Sequence, residues 1–416
     1  MRLLRAPFTY RLWRPRHLAY VARDLWRPAS RPEQPDRIHL EAVLGWLMRA
    51  QDRCDTTAGA GGVSAGWSFE DGWLPAYPET SGYTVESFLA ASGMLSRPEL
   101  RERARRIILW ELSIQHEDGA FPGHFGEPGS RPVIFNTGQI MHGLVTAHDH
   151  LEIPGALEAA VRAGRWLLAS QDADGCWRRN THGGIPHVYN TRSAWALLRV
   201  GLASGTEALI QGALDNLAWA LTRQTQSGWF ADNAFAPDRS PYTHTIAYAL
   251  RGFLEAGIMS GQEPFVAAAL TGARAVAGQQ RANGWLAGAF DDGWIPKAHY
   301  ACLTGVAQMC GIWTRAWHLT GEEPFRIAAD RGIGFLKRNH IISGQQDPAD
   351  GGIAGSLPFW GAYSRFEYPN WAAKFFADAL MTRMAPLLIP DDPRRLGKPS
   401  PADGQPALQQ ADQGMG

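Results

Sequence analysis

The sequence predicts an all-α chain folded as an α/α toroid of six helix pairs, with an inner and an outer ring of helices. Three observations carry this. A helix-ending Gln recurs as Gln51, Gln115, Gln171, Gln224 and Gln280, with Asn339 in the sixth place, and a Gly and an aromatic residue often follow, as in QHEDGAF, QTQSGWF and QRANGW. A second signature opens an apolar helix: YPETSGY, FNTGQ, YNTRSAW, YTHTIAY, HYACLTG and EYPNWAAK. From Thr80 through Thr137, Thr191, Thr245 and Thr304 to Trp371 the period stays within about 54 to 67 residues, room for two helices and their connections. Third, the connections alternate between short returns (SRPEL, LEIP, SGQEP, TGEEP) and links of roughly 17 to 27 residues, far above the usual helix-to-helix length.

In chain order, the first pair starts near Leu40 with AVLGWLMRAQ and resumes at Thr80. The second spans 98–115 and 136–149, and the third 155–171 and 191–201, the first helix of that pair ended by the turn residues of QDADG and the second capped by Thr191. Pair four takes 206–224 and 243–256, pair five 263–280 and 300–319, and pair six 322–340 and 368–384. The second helices are the more apolar set, so they belong inside. All six long links then emerge on one rim, where function concentrates on a rigid scaffold.

The repeat runs unbroken, so one toroid domain is expected over 39–386, between a basic arm at 1–38 and a tail at 387–416 that is rich in Pro, Asp and Gln and has little to bury. The arm holds eight Arg by Arg31 against Asp24 alone, with Leu, Phe, Tyr and Trp between them and no continuous apolar run. That argues against a secretory signal. It leaves an interfacial membrane arm or a lead-in packed across the barrel. No stretch reaches the roughly 18 consecutive apolar residues of a membrane span. With four scattered Cys and no CxxC pair, the reading is cytoplasmic, with peripheral contact at the inner membrane through the arm.

A formal net charge of zero gives no reason to expect nucleic acid as partner. Seventeen Trp fit interlocked helices and a cleft with flat apolar walls. Such a cleft, floored by helix N-termini, suits a polysaccharide or a lipid-linked oligosaccharide. Pyranose faces stack on rings, and helix N-termini favour anions such as uronates.

With the repeats laid out, GGVSAGWSFEDGWLPAYPETSGY, FNTGQIMHGL, GIPHVYNTRSAWALL, YTHTIAYALRGFLEAG, CLTGVAQM and FEYPNWAAKFFADAL resemble the VpsJ-like proteins of bacterial exopolysaccharide gene clusters. Members of that family are described by likeness to the prenyltransferase/squalene-cyclase toroid. The resemblance implies an α/α toroid and an exopolysaccharide setting. It supplies no reaction and no catalytic residue.

Two constellations of candidate catalytic residues compete. Carboxylates at inner-helix mouths, Glu79, Asp292 beside Asp291, and Glu367, would serve as the acid and base of a glycosidase. Alternatively, His187, Tyr189, Arg192 and His244 would neutralise a uronate carboxylate and move the adjacent proton, as elimination or epimerisation requires. Trp73, Tyr83, Asn136, Asn190, Tyr242, Trp294, His299, Trp360, Tyr368 and Asn370 are the candidate substrate contacts. Each also has a structural role open to it: Glu79 as a helix-start carboxylate, the Asp pair as a turn, Asn136 and Asn190 as caps, the aromatics as pins for long loops.

The reading is therefore a carbohydrate-active enzyme without an organic cofactor, cleaving or modifying an acidic polysaccharide by hydrolysis or by uronate elimination or epimerisation. The alternatives are an isoprenoid-acting toroid and a non-catalytic glycan-binding subunit. The DxDD motif of class II terpene cyclases is missing, as is any Cys–His grouping at zinc-ligand spacing. DADG and DPADGG lack the further ligands of a calcium loop. No P-loop, Rossmann or GxSxG signature is present.

Overall fold

In the computed structural model, which describes residues 7–26, 33–127, 129–344 and 347–385, a short helix α1 (Pro15–Leu25) precedes twelve helices that alternate between two rings. The sequence of elements is α2 (Asp36–Asp52), α3 (Pro78–Leu95), α4 (Pro98–Ile114), α5 (Ile134–Leu151), α6 (Ala156–Ala169), α7 (Thr191–Ser204), α8 (Glu207–Leu221), α9 (Thr243–Ser260), α10 (Glu263–Gly278), α11 (Leu303–Thr320), α12 (Glu323–Asn339) and α13 (Asn370–Met384). Odd-numbered helices from α3 onward form the inner ring and are buried on nearly every face; α5 buries every residue from Ile134 to Ala147. The outer helices bury one stripe, as α6 does with Ala156, Ala159, Ala160, Ala163 and Leu167. The expected tail lies outside the described residues.

The sequence pairs each outer helix with the inner helix after its long link. Each outer helix instead packs most closely on the inner helix across its short return, as α4 does on α3, α8 on α7, α10 on α9 and α12 on α11, and the ring closes where α13 meets α2 and α3. A short return holds two helix ends together, whereas a long link can swing across the rim.

The repeated Gln has a physical task. Gln171 Nε2 donates to Gly175 O in its own turn at 2.9 Å and to Gly212 O of the next outer helix at 2.8 Å. Gln115 does the same to Gly119 O and Ala159 O, both at 2.9 Å. Gln51, Gln224 and Gln280 likewise reach the carbonyls of Arg103, Ala268 and Ala328 in their neighbours. The amide thus clamps each turn to the adjacent outer helix. Gly175 sits at φ +83° with no room for a Cβ beside Asp215 O, so both backbone conformation and space demand glycine. Gly351, at φ +80°, meets Ala42 O in the same way, which docks the last turn on the first outer helix.

Two small sheets, unforeseen in the sequence, stitch the loops. Strands β1 (Gly66–Ser68) and β2 (Gly72–Trp73) form a hairpin, and β5 (Glu367–Pro369) pairs antiparallel with β1, Trp67 opposite Tyr368. Strand β3 (Ala301–Cys302) pairs with β4 (Ser356–Leu357). The β1–β5 pair ties the first long loop to the last, and α1 lies over this seam. His17 and Tyr20 are buried there, and the Tyr10 ring stacks on Phe366 at 4.1 Å. No helix among the described residues is long and apolar enough to cross a membrane.

Candidate active site

The inner helices begin on the rim that carries the long loops, and their first turns converge on a cavity of about 270 Å³. Tyr77, Glu79, His124, Val133, Phe135, Asn136, His182, Tyr189, Phe235, His244, Thr245, Tyr248, Tyr363 and Trp371 line it. Seven of these fourteen are Phe, Tyr or Trp, so the wall is mostly apolar. Edge-on contacts lock the rings: Phe135 lies 5.2 Å from Tyr189 at 89°, and Phe235 5.8 Å from Tyr189 at 72°.

One carboxyl group stands in this wall. Glu79 follows Pro78 at the start of α3, where Pro pre-sets the helical φ and the helix N-terminus faces the cavity. Tyr77 Oη donates to Glu79 Oε2 at 2.8 Å. With the Asn136 amide oriented to satisfy both its polar atoms, Nδ2 donates to the same oxygen at 3.0 Å and Oδ1 accepts from the His124 N–H at 3.2 Å. Burial pushes the Glu79 carboxyl up to about 7, against the Tyr77 hydrogen bond and the more distant Arg192 charge, which both pull it down. Glu79 therefore exchanges a proton near neutral pH.

His244, in the first turn of α9, faces the same cavity. Its Nδ1 is buried without a hydrogen-bond partner, and burial lowers its pKa to about 3, so the imidazole is neutral. The Tyr363 ring lies 4.6 Å away. His182 is also lowered by burial.

Of the candidate catalytic residues, the structure brings Glu79, Tyr189 and His244 together at the cavity, with Asn136 among the candidate contacts. His187 stands one layer behind, stacked on Tyr189 at 4.5 Å and 17°, with its Nε2 2.7 Å from the His182 carbonyl. Arg192 is beneath the floor. Its Nε donates to Gln139 at 2.7 Å, and its guanidinium carbon lies 5.3 to 6.0 Å from the Trp195, Tyr248, Phe375 and Tyr83 rings. It meets Glu79 through its field.

The other carboxylates lie elsewhere on the rim. Asp292 is exposed, next to an Asp291 whose carboxylate accepts from the Gly293 and Ile295 N–H groups and pairs with Lys297 at 2.8 Å, a turn held by its own side chain. Glu367 is on β5, where burial raises its carboxyl and the negative charges of Asp71 and Glu70 add to the effect. The paired carboxylates of a two-carboxylate glycosidase therefore do not assemble among the lining residues.

The candidate substrate contacts divide the same way. Tyr242 borders the cavity through Tyr363 at 5.2 Å. Tyr83 is in the core beside Phe375, and Asn370 is a buried brace that donates to Ser64 O and Thr80 Oγ1 at 2.9 and 2.8 Å. Trp73 packs on Trp46, Trp294 donates to Ser227 O at 3.0 Å, and Trp360 packs on Phe359. Asn190 is buried just before α7, Tyr368 under α1, and His299 is exposed. Loop pinning is what these tryptophans do.

Sequence reasoning missed Tyr248, Phe135, Phe235, Tyr363, Trp371, His124, His182, Tyr77 and Thr245 as site residues. Tyr248 carried a signal, since it lies one helical turn below His244 on the same face of α9. Phe235 and Tyr363 come from loops with no period to place them. Among the described residues no group of three or more His, Cys, Asp or Glu is placed to hold a metal ion.

No family model and no curated protein matches the sequence. Solved structures do match the fold. An unsaturated glucuronyl hydrolase from Bacillus sp. GL1, responsible for glycosaminoglycan degradation, is 15% identical at a TM-score of 0.66, over 85% of this chain and 98% of that one. Cellobiose 2-epimerase from Bacillus thermoamylovorans B4167 is 14% identical at 0.66, over 84% and 98%. A sugar epimerase from a ruminal bacterium is 14% identical at 0.67, over 84% and 98%. At these identities the likeness establishes the α/α toroid.

Proposed function

We propose that the protein is a carbohydrate-active enzyme that modifies a sugar unit of a polysaccharide or lipid-linked oligosaccharide by proton transfer, in an exopolysaccharide setting. The observation that carries this is the buried Glu79 carboxyl, poised at about 7 by an apolar wall and held by Tyr77 and Asn136. A group with that pKa both gives and takes a proton at neutral pH, as epimerisation or isomerisation of a sugar requires. The flat faces of Tyr189, Tyr248 and Trp371 suit pyranose stacking. The toroids of similar fold include hydrolases and epimerases named for sugars.

Two features narrow the reading. The cavity wall has a single carboxyl, which speaks against hydrolysis by a carboxylate pair. No Arg or Lys is among its lining residues, so an uncharged sugar ring fits the wall better than a uronate, which needs a counter-charge. Neutral imidazoles at His244 and His182 complete the proton-transfer set.

The aromatic half of the wall supports a second reading, in which Glu79 protonates an isoprenoid double bond. One experiment separates the three chemistries. The protein is incubated in deuterated water with neutral disaccharides, unsaturated uronyl disaccharides and a prenyl diphosphate, and products are followed by NMR. Deuterium entering a sugar C–H position, abolished in Glu79→Gln, is the expected result. New reducing ends without deuterium exchange, or turnover of the prenyl substrate alone, would overturn the epimerase-type reading.

A further inference from the structure

Among the described residues, five of the six large apolar side chains that are more than half exposed belong to one segment: Phe8, Trp13, Leu18, Leu25 and Trp26, at 51 to 77%. Single exposed apolar residues are ordinary, but a concentration of them marks an interaction surface. The segment is firmly held from below. His17 and Tyr20 are buried under it, and the Asp24 carboxylate accepts from the Phe359 N–H at 2.9 Å. The apolar side is thus presented outward by a fixed helix at the loop rim.

Charge says what would cover it. Arg14 and Arg16 are exposed between the apolar residues, Arg16 with Asp347 3.7 Å from its Nε, the one acid of the segment is turned inward, and the sequence adds Arg2, Arg5, Arg27 and Arg31. The chain as a whole is neutral, so this basic charge is local. A second copy seated here would set arginines against arginines. The chain's own residues 387–416 are nearly balanced in charge and poor in apolar residues. Exposed arginine interleaved with tryptophan and leucine along a short helix and its two ends matches the headgroup layer of an anionic bilayer.

We propose that the N-terminal arm docks the protein, rim first, on an anionic lipid surface. Trp13, Leu18, Leu25 and Trp26 enter the headgroup region, and Arg14 and Arg16 meet the lipid phosphates. The docking does not depend on the chemistry assigned to Glu79.

The test is co-sedimentation of the full chain with phosphatidylcholine vesicles, with and without phosphatidylglycerol, beside the variants Trp13→Ser/Trp26→Ser and Arg14→Glu/Arg16→Glu. These side chains are exposed, and Arg16 gives up only a 3.7 Å surface ion pair with Asp347, so thermal unfolding should stay close to wild type. The expected result is binding to the anionic vesicles only, weakened by salt and reduced about tenfold or more in each variant. Equal binding to both vesicle types, no binding, or full binding by the variants would overturn the proposal. So would a dimer that the tryptophan variant dissociates, or vesicle binding unmasked only when residues 387–416 are removed.

Discussion

A carboxyl group with its pKa moved to about 7 is a costly thing to build, and Glu79 shows what moves it. Burial among aromatic rings disfavours the charged form, while Tyr77 and Asn136 keep the side chain in one place. If protonated Glu79 is the acid, activity falls as pH rises through about 7. Removing the Tyr77 hydroxyl takes away a hydrogen bond that favours the ionised form, so Tyr77→Phe moves that limb to higher pH; a pH–rate profile reads both. Glu79→Gln keeps the shape and loses the proton, and turnover should drop by about 10² or more. Glu111 in α4 has a similar burial without a use. Both carboxyl oxygens are buried with no hydrogen-bond partner, and burial raises its pKa well above the ordinary range. Its folded-state pKa exceeds the unfolded value, so its contribution is present in acid and is lost as pH rises above the usual glutamate range. Glu111→Leu is expected to stabilise the fold by about 1–3 kcal/mol near neutral pH, measured by thermal or urea unfolding.

At the scale of the element, the repeated turn is the unit of construction. Each Gln ends an outer helix and grips the next one; Gln115, Gln171 and Gln224 also close their own turns on the Gly four residues on, which lets the two backbones touch. Gly175→Ala forces a side chain into Asp215 O at a positive φ, with an expected loss of about 2–4 kcal/mol, larger than the about 1–3 kcal/mol for Gln171→Ala. Chemical denaturation of the two variants checks the order. These elements were legible because helix periodicity and turn chemistry are local. The helices at 98–115, 243–256 and 263–280 were placed within a few residues of their observed bounds. The strands of two or three residues were not, since their pairing depends on which distant loop lies alongside. The same limit explains the site. Glu79, Asn136, Tyr189 and His244 sit at helix starts and could be found, whereas the loop residue Phe235 could not.

At the scale of the molecule, a single seam closes the ring, and it joins segments about 300 residues apart. Gly351 meets Ala42, β1 pairs with β5, Trp46 Nε1 donates to Pro348 O at 2.7 Å, and His39 Nδ1 lies 2.9 Å from His340 Nδ1. That last contact admits one proton between two ring nitrogens. Burial lowers His39 to about 4 and His340 to about 3, below the ordinary histidine value. The stability they lend is present above about 6.5 and is lost as pH falls toward 4, because the unfolded chain takes up the protons first. The seam should therefore open in mild acid before the rest of the barrel, seen as early loss of hydrogen-exchange protection in α2 and α12. Below the cavity, ion pairs stand among the inner helices, Glu86 with Arg199 and Glu255 with Arg251 and Arg315. Closure is what gathers Glu79, Asn136, Tyr189 and His244 from four repeats onto one wall. The most direct measurement is the infrared difference spectrum between the wild-type protein and Glu79→Gln, titrated across neutral pH. A protonated carboxyl band that the substitution removes and that disappears with a midpoint near 7 is the predicted result. A Glu79 that is already fully ionised at about pH 5 would contradict the account.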